Sequence, residues 1–176
     1  MLGRWEHGHH VGERGVAVFG WGSIGEGHPH DGYIEAVMAE LGDDLGPDCE
    51  TAYGAYGTDG AMTAFLDLGG IDCDPDDPEP RAALAWSSGI GWLCGAWDGT
   101  VLEVVRALTV AAVPVPADVA RAGRARAAAG ILPLDALSIA DAPETPTAAL
   151  TAELQEAVDA GHLTAEVAGR LARYAD

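Results

Sequence analysis

The sequence predicts an α+β fold, in which an antiparallel sheet of about four strands is flanked by helices and followed by a C-terminal helical hairpin. Apolar runs of strand length lie between residues 61 and 113, segments with helical periodicity lie on both sides, and turn residues separate the runs. At 176 residues the chain suits one domain with appendages. We therefore expect a Gly/His-rich N-terminal arm, an α+β domain, a linker and a helical tail, at residues 1–30, 31–130, 131–147 and 148–176.

The first helix is expected to begin at Asp31 or Gly32 and to end near Leu41. Apolar residues recur there with the spacing of one buried helix face, at Tyr33, Ile34, Val37, Met38 and Leu41. Gly42 follows, and glycine is common just past the end of a helix.

Four apolar runs predict the meander, at residues 61–68, 82–86, 92–97 and 101–113, and residues 49–56 suit an irregular first strand. Asp98-Gly99 is the strongest hairpin signal, because a type I′ turn needs positive φ at both central positions. Trp86, Trp92 and Trp97 are expected to anchor one face of the sheet together, through core packing rather than ligand stacking.

Helices are also expected after the meander. Residues 117–129 form the first, with Asp118 in its first turn and Gly130 at its end. In the tail, Thr147 and Thr164 are candidate N-caps of two short helices. Their apolar residues are candidates for docking a partner or a second copy of the chain, although docking on the chain's own sheet is the default: Leu150, Leu154, Val158, Val167 and Leu171.

The chain is strongly acidic, with 28 Asp and Glu, nine arginines, no lysine and a net charge of −19. Between Gly15 and Pro80 there are fifteen acids and no basic residue. Direct nucleic-acid binding is not expected from such a surface, because phosphate contacts need cations. Solubility, docking on a basic protein and mimicry of the DNA backbone are the three interpretations of this charge.

One acidic, proline-broken loop is the candidate binding face: Asp72, Asp74, Asp76, Asp77 and Glu79. The alternating aspartates could also suggest calcium, but an EF-hand loop requires flanking helices and a central glycine. Pro75, Pro78 and Pro80 oppose that geometry.

A candidate metal site consists of His28, His30 and Asp31, because two imidazoles and a carboxylate within four residues could hold a divalent ion. The competing interpretation is that Asp31 caps the first helix while the histidines are solvated. No HExxH motif accompanies these residues, and no cofactor is expected.

The sequence indicates a cytoplasmic protein without membrane association. No apolar run reaches the roughly 18 residues that a membrane span requires, and no signal-peptide pattern opens the chain. Cys49, Cys73 and Cys94 are odd in number and widely spaced, which favours reduced thiols.

Residues 30–128 resemble a family of small actinobacterial domains of unknown function. The similarity is carried by a strand with Leu84-Ala-Trp86, a strand beginning Gly91-Trp92, and a Pro116-x-x-Val119 entry into a helix. The resemblance implies the order helix, meander, helix. It implies no activity and no catalytic residues.

Taken together, these features favour a non-catalytic acidic protein–protein interaction module, such as an adaptor or a regulatory or assembly component. Its partner would be a protein with a basic surface, or a second copy bound through the C-terminal helices. The alternatives are a DNA-mimic inhibitor of a nucleic-acid enzyme and a metal-dependent enzyme that uses His28, His30 and Asp31.

Overall fold

The computed structural model describes residues 4–7, 18–19, 27–46, 49–53, 62–69, 81–97, 101–108, 111–129 and 143–175. The predicted α+β class is confirmed. The strands are β1 (Arg4–His7), β2 (Val18–Phe19), β3 (Cys49–Tyr53), β4 (Met62–Asp67), β5 (Arg81–Ser87), β6 (Gly91–Trp97) and β7 (Val101–Ala107). The helices are α1 (Asp31–Leu41), α2 (Pro116–Ala129), α3 (Ala152–Asp159) and α4 (Ala165–Leu171), and one-turn 3-10 helices follow α1 and α4 at Gly42–Asp44 and Ala172–Tyr174.

The strands form one seven-stranded sheet in the order β2-β1-β7-β6-β5-β4-β3. From β3 to β7 every neighbouring pair is antiparallel, which is the predicted meander. β1 extends the sheet by pairing antiparallel with β7, and β2 pairs parallel with β1. The sheet is therefore wider than the expected four strands, and part of the expected N-terminal arm belongs to it.

One face of the sheet packs against the helices. Alternation along the strands turns Leu66, Leu84, Trp86, Trp92 and Cys94 towards this layer. On the helical side, α1 contacts α2, and α2 packs against β5 and β6. The apolar stripe of α1 is buried as its spacing predicted, at Tyr33, Ile34, Val37 and Leu41.

The three tryptophans of the meander divide between the two faces, so the expectation that they anchor one face is wrong. Trp86 and Trp92 pair directly across β5 and β6 and lie under the helices. Trp97 belongs to a second buried group on the opposite face, where its ring lies 4.7 Å from that of Phe65. Trp97 lies five positions after Trp92 on the same strand, and an odd offset along a strand places two side chains on opposite faces. Trp86 shares the face of Trp92 because the two residues pair directly.

Thr151, and not Thr147, caps the first tail helix. The Thr151 hydroxyl accepts a hydrogen bond from the amide of Leu154, and Thr164 caps α4 in the same way through Val167. Thr147 lies before the helix in a segment without regular secondary structure, where the amide of Ala148 donates to the Gly169 carbonyl at 2.7 Å.

Part of the expected linker is likewise tied to the domain. The amide of Thr145 donates to the Val113 carbonyl at 3.0 Å, and the amide of Val115 donates to the Pro143 carbonyl at 3.1 Å. The Arg170 guanidinium also donates to the Thr145 carbonyl at 2.7 Å. Residues 143–147 therefore connect the entry of α2 with α4.

Candidate functional site

A cleft of about 530 Å³ opens between the N-terminal ends of α1 and α3, beside the C-terminal residues of the described chain. It is lined by Gly27, His28, Pro29, Asp31, Gly32, Glu35, Thr151, Ala152, Glu153, Tyr174 and Ala175. Three of these side chains are carboxylates and two are aromatic rings. No arginine is among them.

Asp31 fixes the wall of the cleft where α1 begins. One carboxylate oxygen accepts hydrogen bonds from the amides of Gly27 and His28, at 3.1 and 2.8 Å. The other accepts the hydroxyl of Thr51 in β3 at 2.7 Å. The buried carboxylate thereby joins the turn before α1 to the sheet. It does not cap the helix as the sequence suggested, because the N-cap position is His30 and the amides that Asp31 accepts from precede the helix.

A stack of rings leads from the cleft into the core. The half-buried His28 ring lies 5.7 Å from the His30 ring, which lies 5.5 Å from Trp86. His30 is 0% exposed, and its Nε2 lies 3.0 Å from the Thr63 carbonyl. Because a carbonyl oxygen only accepts, Nε2 carries the proton. Desolvation by burial lowers the pKa of His30 to about 4, so this ring is neutral near pH 7.

Tyr174 forms the opposite wall. Its ring lies 5.3 Å from Tyr33, and its hydroxyl shares a 3.1 Å hydrogen bond with the Thr145 hydroxyl. The approach to α1 is close, because a Cβ on Gly32 would lie 2.1 Å from the Tyr174 carbonyl oxygen. The absence of a side chain at Gly32 therefore lets the C-terminal turn dock there.

Glu35 and Glu153 supply the exposed carboxylates of the cleft, from α1 and α3 respectively. Neither forms an ion pair with any residue that the structure describes. Glu153 also lies in the first turn of α3, where a negative charge suits the helix dipole.

Most arginines with described side chains are neutralised within the chain. Arg81 pairs with the buried Asp67 at 3.0 Å, and the other pairs are Arg121 with Asp118, Arg124 with Asp44, and Arg170 with both Glu144 and Glu166. These pairs leave a set of exposed acids without an ion pair among the described residues. We call this set the helical acidic face: Glu35, Glu40, Asp43, Glu153, Glu156 and Asp159.

Some of the acids that the sequence assigned to a negative surface are buried in the structure. Of the fifteen acids between Gly15 and Pro80, seven have described side chains, and Asp31, Glu50 and Asp67 among them are buried. Burial of these carboxylates was not apparent from composition, which does not show which side of a strand or helix an acid occupies. The acidic loop, Asp72, Asp74, Asp76, Asp77 and Glu79, lies outside the described residues, so its binding role stays a prediction.

His28, His30 and Asp31 do not converge as metal ligands. Both oxygens of Asp31 are engaged by hydrogen bonds, and the His30 Nε2 proton faces the Thr63 carbonyl. Across the described ranges, no group of three or more His, Cys, Asp or Glu side chains is placed to hold a metal ion. The start of the helix turns Asp31 towards Thr51. Metal binding by these three residues stays a prediction.

The apolar stripe of the tail meets the chain's own core, which is the default that the sequence favoured. Leu154 and Leu171 are buried in the main core, while Leu150, Val158 and Val167 are partly buried against it. The use of these five residues to dock a partner stays a prediction.

Comparison with family models, with curated proteins and with solved structures finds no match to this chain. The resemblance to an actinobacterial family therefore stays a prediction. Among the helices of the described ranges, none is both long and apolar enough to cross a membrane.

Sequence reasoning missed Glu35, Glu153 and Tyr174 as members of one site. Glu35 and Glu153 lie on different helices and far apart in the chain, so no local pattern joins them. The available signal was weak: a capping threonine, Thr151, stands two residues before Glu153 and marks a helix start.

Proposed function

We propose that this chain is a non-catalytic protein-interaction module that docks its helical acidic face on a partner with a basic surface. The observation that carries the proposal is the set of six exposed carboxylates without ion pairs among the described residues. They lie on α1, its following turn and α3.

The charge makes a cationic partner favourable for a physical reason. At a net charge of −19 the chain repels itself and repels phosphate. A basic protein surface relieves that repulsion, raises the rate of encounter and makes the affinity fall with added salt.

Two titratable groups at and behind the cleft wall also support docking rather than a reaction. Asp31 lines the cleft but accepts three hydrogen bonds, and His30 lies behind the lining and is completely buried, so neither is placed to exchange a proton with a ligand. The remaining carboxylates, Glu35 and Glu153, are exposed, as suits contact with a large partner.

The experiment uses the immobilised full chain and two variants of similar charge change. One neutralises the helical acidic face by changing its Glu to Gln and its Asp to Asn. The matched control neutralises the acidic loop in the same way, at Asp72, Asp74, Asp76, Asp77 and Glu79. The expected result is a basic protein that the wild type and the loop variant retain in about 50 mM salt, and that the helical-face variant does not retain.

Three other results would contradict the proposal. If the retained protein depends on the acidic loop and not on the helical acidic face, the binding face is the one that the sequence predicted. If no basic protein depends on either set of acids, the chain is not an acidic docking module. If the partner is a nucleic-acid enzyme whose inhibition is reversed by excess duplex DNA, the DNA-mimic alternative is correct. Burial of Asp31, Glu50 and Asp67 weighs against that alternative, because buried carboxylates cannot stand in for phosphates.

A further inference from the structure

We propose, on the basis of the interaction role above, that the cleft between α1 and α3 receives an arginine side chain of the partner. The feature that points to this ligand is the described part of the lining, which combines carboxylates with the aromatic ring of His28 and holds no arginine.

The sign of the charge in the cleft selects a cation. Two helix N-termini open towards it, and each carries a partial charge of about +0.5. Asp31, Glu35 and Glu153 each contribute a full negative charge when ionised. Over the described lining residues the sum is therefore about −2, so a cation is attracted and an anion is repelled.

The shape of the lining favours a guanidinium over an ammonium group. Glu35 and Glu153 come from two different helices, and the planar fork of arginine can donate to two carboxylates at once. One face of the His28 ring stacks on His30, which leaves the opposite face away from that contact. Guanidinium groups stack on such aromatic rings.

The walls are also held in place before any ligand arrives. Three hydrogen bonds to Asp31 fix the start of α1, and the Thr151 hydroxyl fixes the start of α3. Tyr174 is held by Thr145 and by its contact with Tyr33. A preorganised site loses little conformational entropy on binding.

The test is a titration of the full chain with blocked glycine peptides that contain one arginine, one lysine or one citrulline. Citrulline keeps the shape of arginine without its charge. Binding is followed by amide NMR. The arginine peptide is expected to shift the amides around the cleft, those of His28, Gly32, Ala152 and Glu153, with the lysine peptide weaker and the citrulline peptide inactive.

The decisive variant is Glu35→Gln with Glu153→Gln. It is expected to lower the affinity for the arginine peptide about tenfold or more, since two charge-assisted hydrogen bonds are lost. The control is Asp118→Asn with Glu166→Gln, which makes the same charge change on α2 and α4, outside both the cleft lining and the helical acidic face. It is expected to change affinity less than about twofold. Glu35, Glu153 and Glu166 are exposed and Asp118 is partly exposed, so both variants should fold, as thermal unfolding would verify.

An equal loss in the two variants, or shifts that avoid the cleft, would overturn the arginine site. That outcome leaves the interaction role standing if a basic protein is still bound through the helical acidic face. If the helical-face variant instead retains the basic protein as well as the wild type does, the interaction role itself is overturned. The two failures are therefore distinguishable.

Discussion

The indole N–H of Trp92 donates a hydrogen bond to the phenol oxygen of Tyr33 at 2.9 Å. The same hydroxyl donates to the Pro114 carbonyl at 3.0 Å. One buried hydroxyl therefore links β6, α1 and the segment before α2, and burial raises the pKa of the Tyr33 phenol far above its usual range. The hydroxyl stays protonated and can make both bonds throughout the pH range of folding.

Replacing Tyr33 with Phe should destabilise the fold by about 2–4 kcal/mol, because it leaves the Trp92 N–H and the Pro114 carbonyl without this partner in a buried site. Urea unfolding measures the change. The control is Tyr53→Phe, which removes a partly buried hydrogen bond to His162 and should cost about 0.5–1.5 kcal/mol. Equal costs for the two variants would show that the Tyr33 hydroxyl is not the link between these elements.

Stability should fall on acidification because of His30. Burial lowers the pKa of His30 from the ordinary histidine value of 6.5 to about 4 in the folded chain, so between these values the unfolded chain binds a proton that the folded chain does not. The contribution of neutral His30 to the free energy of unfolding is fully present above pH 6.5. It is lost as the pH falls towards 4, which lowers the free energy of unfolding by about 3 kcal/mol.

His30→Gln should remove that part of the pH dependence, measured as the difference between the free energies of unfolding at pH 7 and pH 4. His28→Gln is the control, because its ring is only half buried, and it should keep the dependence. If the wild type and His30→Gln lose stability in parallel, the buried imidazole is not responsible.

Gly32→Ala should displace the C-terminal turn from α1. The new Cβ would lie 2.1 Å from the Tyr174 carbonyl oxygen, a backbone atom that cannot rotate away. We expect a loss of about 1–3 kcal/mol in unfolding free energy. Gly89→Ala, where a Cβ meets nothing within 4 Å, should change stability by less than about 0.5 kcal/mol. Similar stabilities for the two variants would contradict the close packing of Tyr174 on α1.

Metal ions should not stabilise the untagged chain, since the oxygens of Asp31 are already engaged by Gly27, His28 and Thr51. Addition of Zn²⁺ or of EDTA should leave the Tm within about 1 °C, because a ligand stabilises only through binding to the folded state. A Tm that rises steadily with Zn²⁺ concentration, and that no longer rises in His28→Gln, would restore the metal alternative.

Elements with strong local signals could be predicted from the sequence. The α1 bounds followed from the apolar spacing between Tyr33 and Leu41 and from Gly42, and the antiparallel pairing of β6 and β7 agrees with the Asp98-Gly99 signal. The turn residues 98–100 themselves lie outside the described ranges. The run from Val101 was expected to continue to Val113, but β7 ends at Ala107, because apolar composition alone does not mark where pairing stops.

Features that depend on distant contacts could not be predicted. β1 has four residues and β2 has two, too few for a recognisable alternation, and both are defined by their partners in the sheet. The inward turn of Asp31 depends on Thr51, which lies twenty residues away on a strand. The cleft depends on the approach of Tyr174 to Gly32, and no sequence pattern encodes that distance.

The acidic docking surface is tested most directly by calorimetric titration with a peptide of alternating arginine and glycine, at about 50 and 300 mM salt. The wild type is compared with the helical-face and acidic-loop variants. We predict that neutralising Glu35, Glu40, Asp43, Glu153, Glu156 and Asp159 lowers the affinity at least about tenfold at low salt and removes most of its salt dependence. The acidic-loop variant should stay close to the wild type. Equal losses in both variants would mean that the peptide responds to net charge alone, and would contradict a docking surface on α1 and α3.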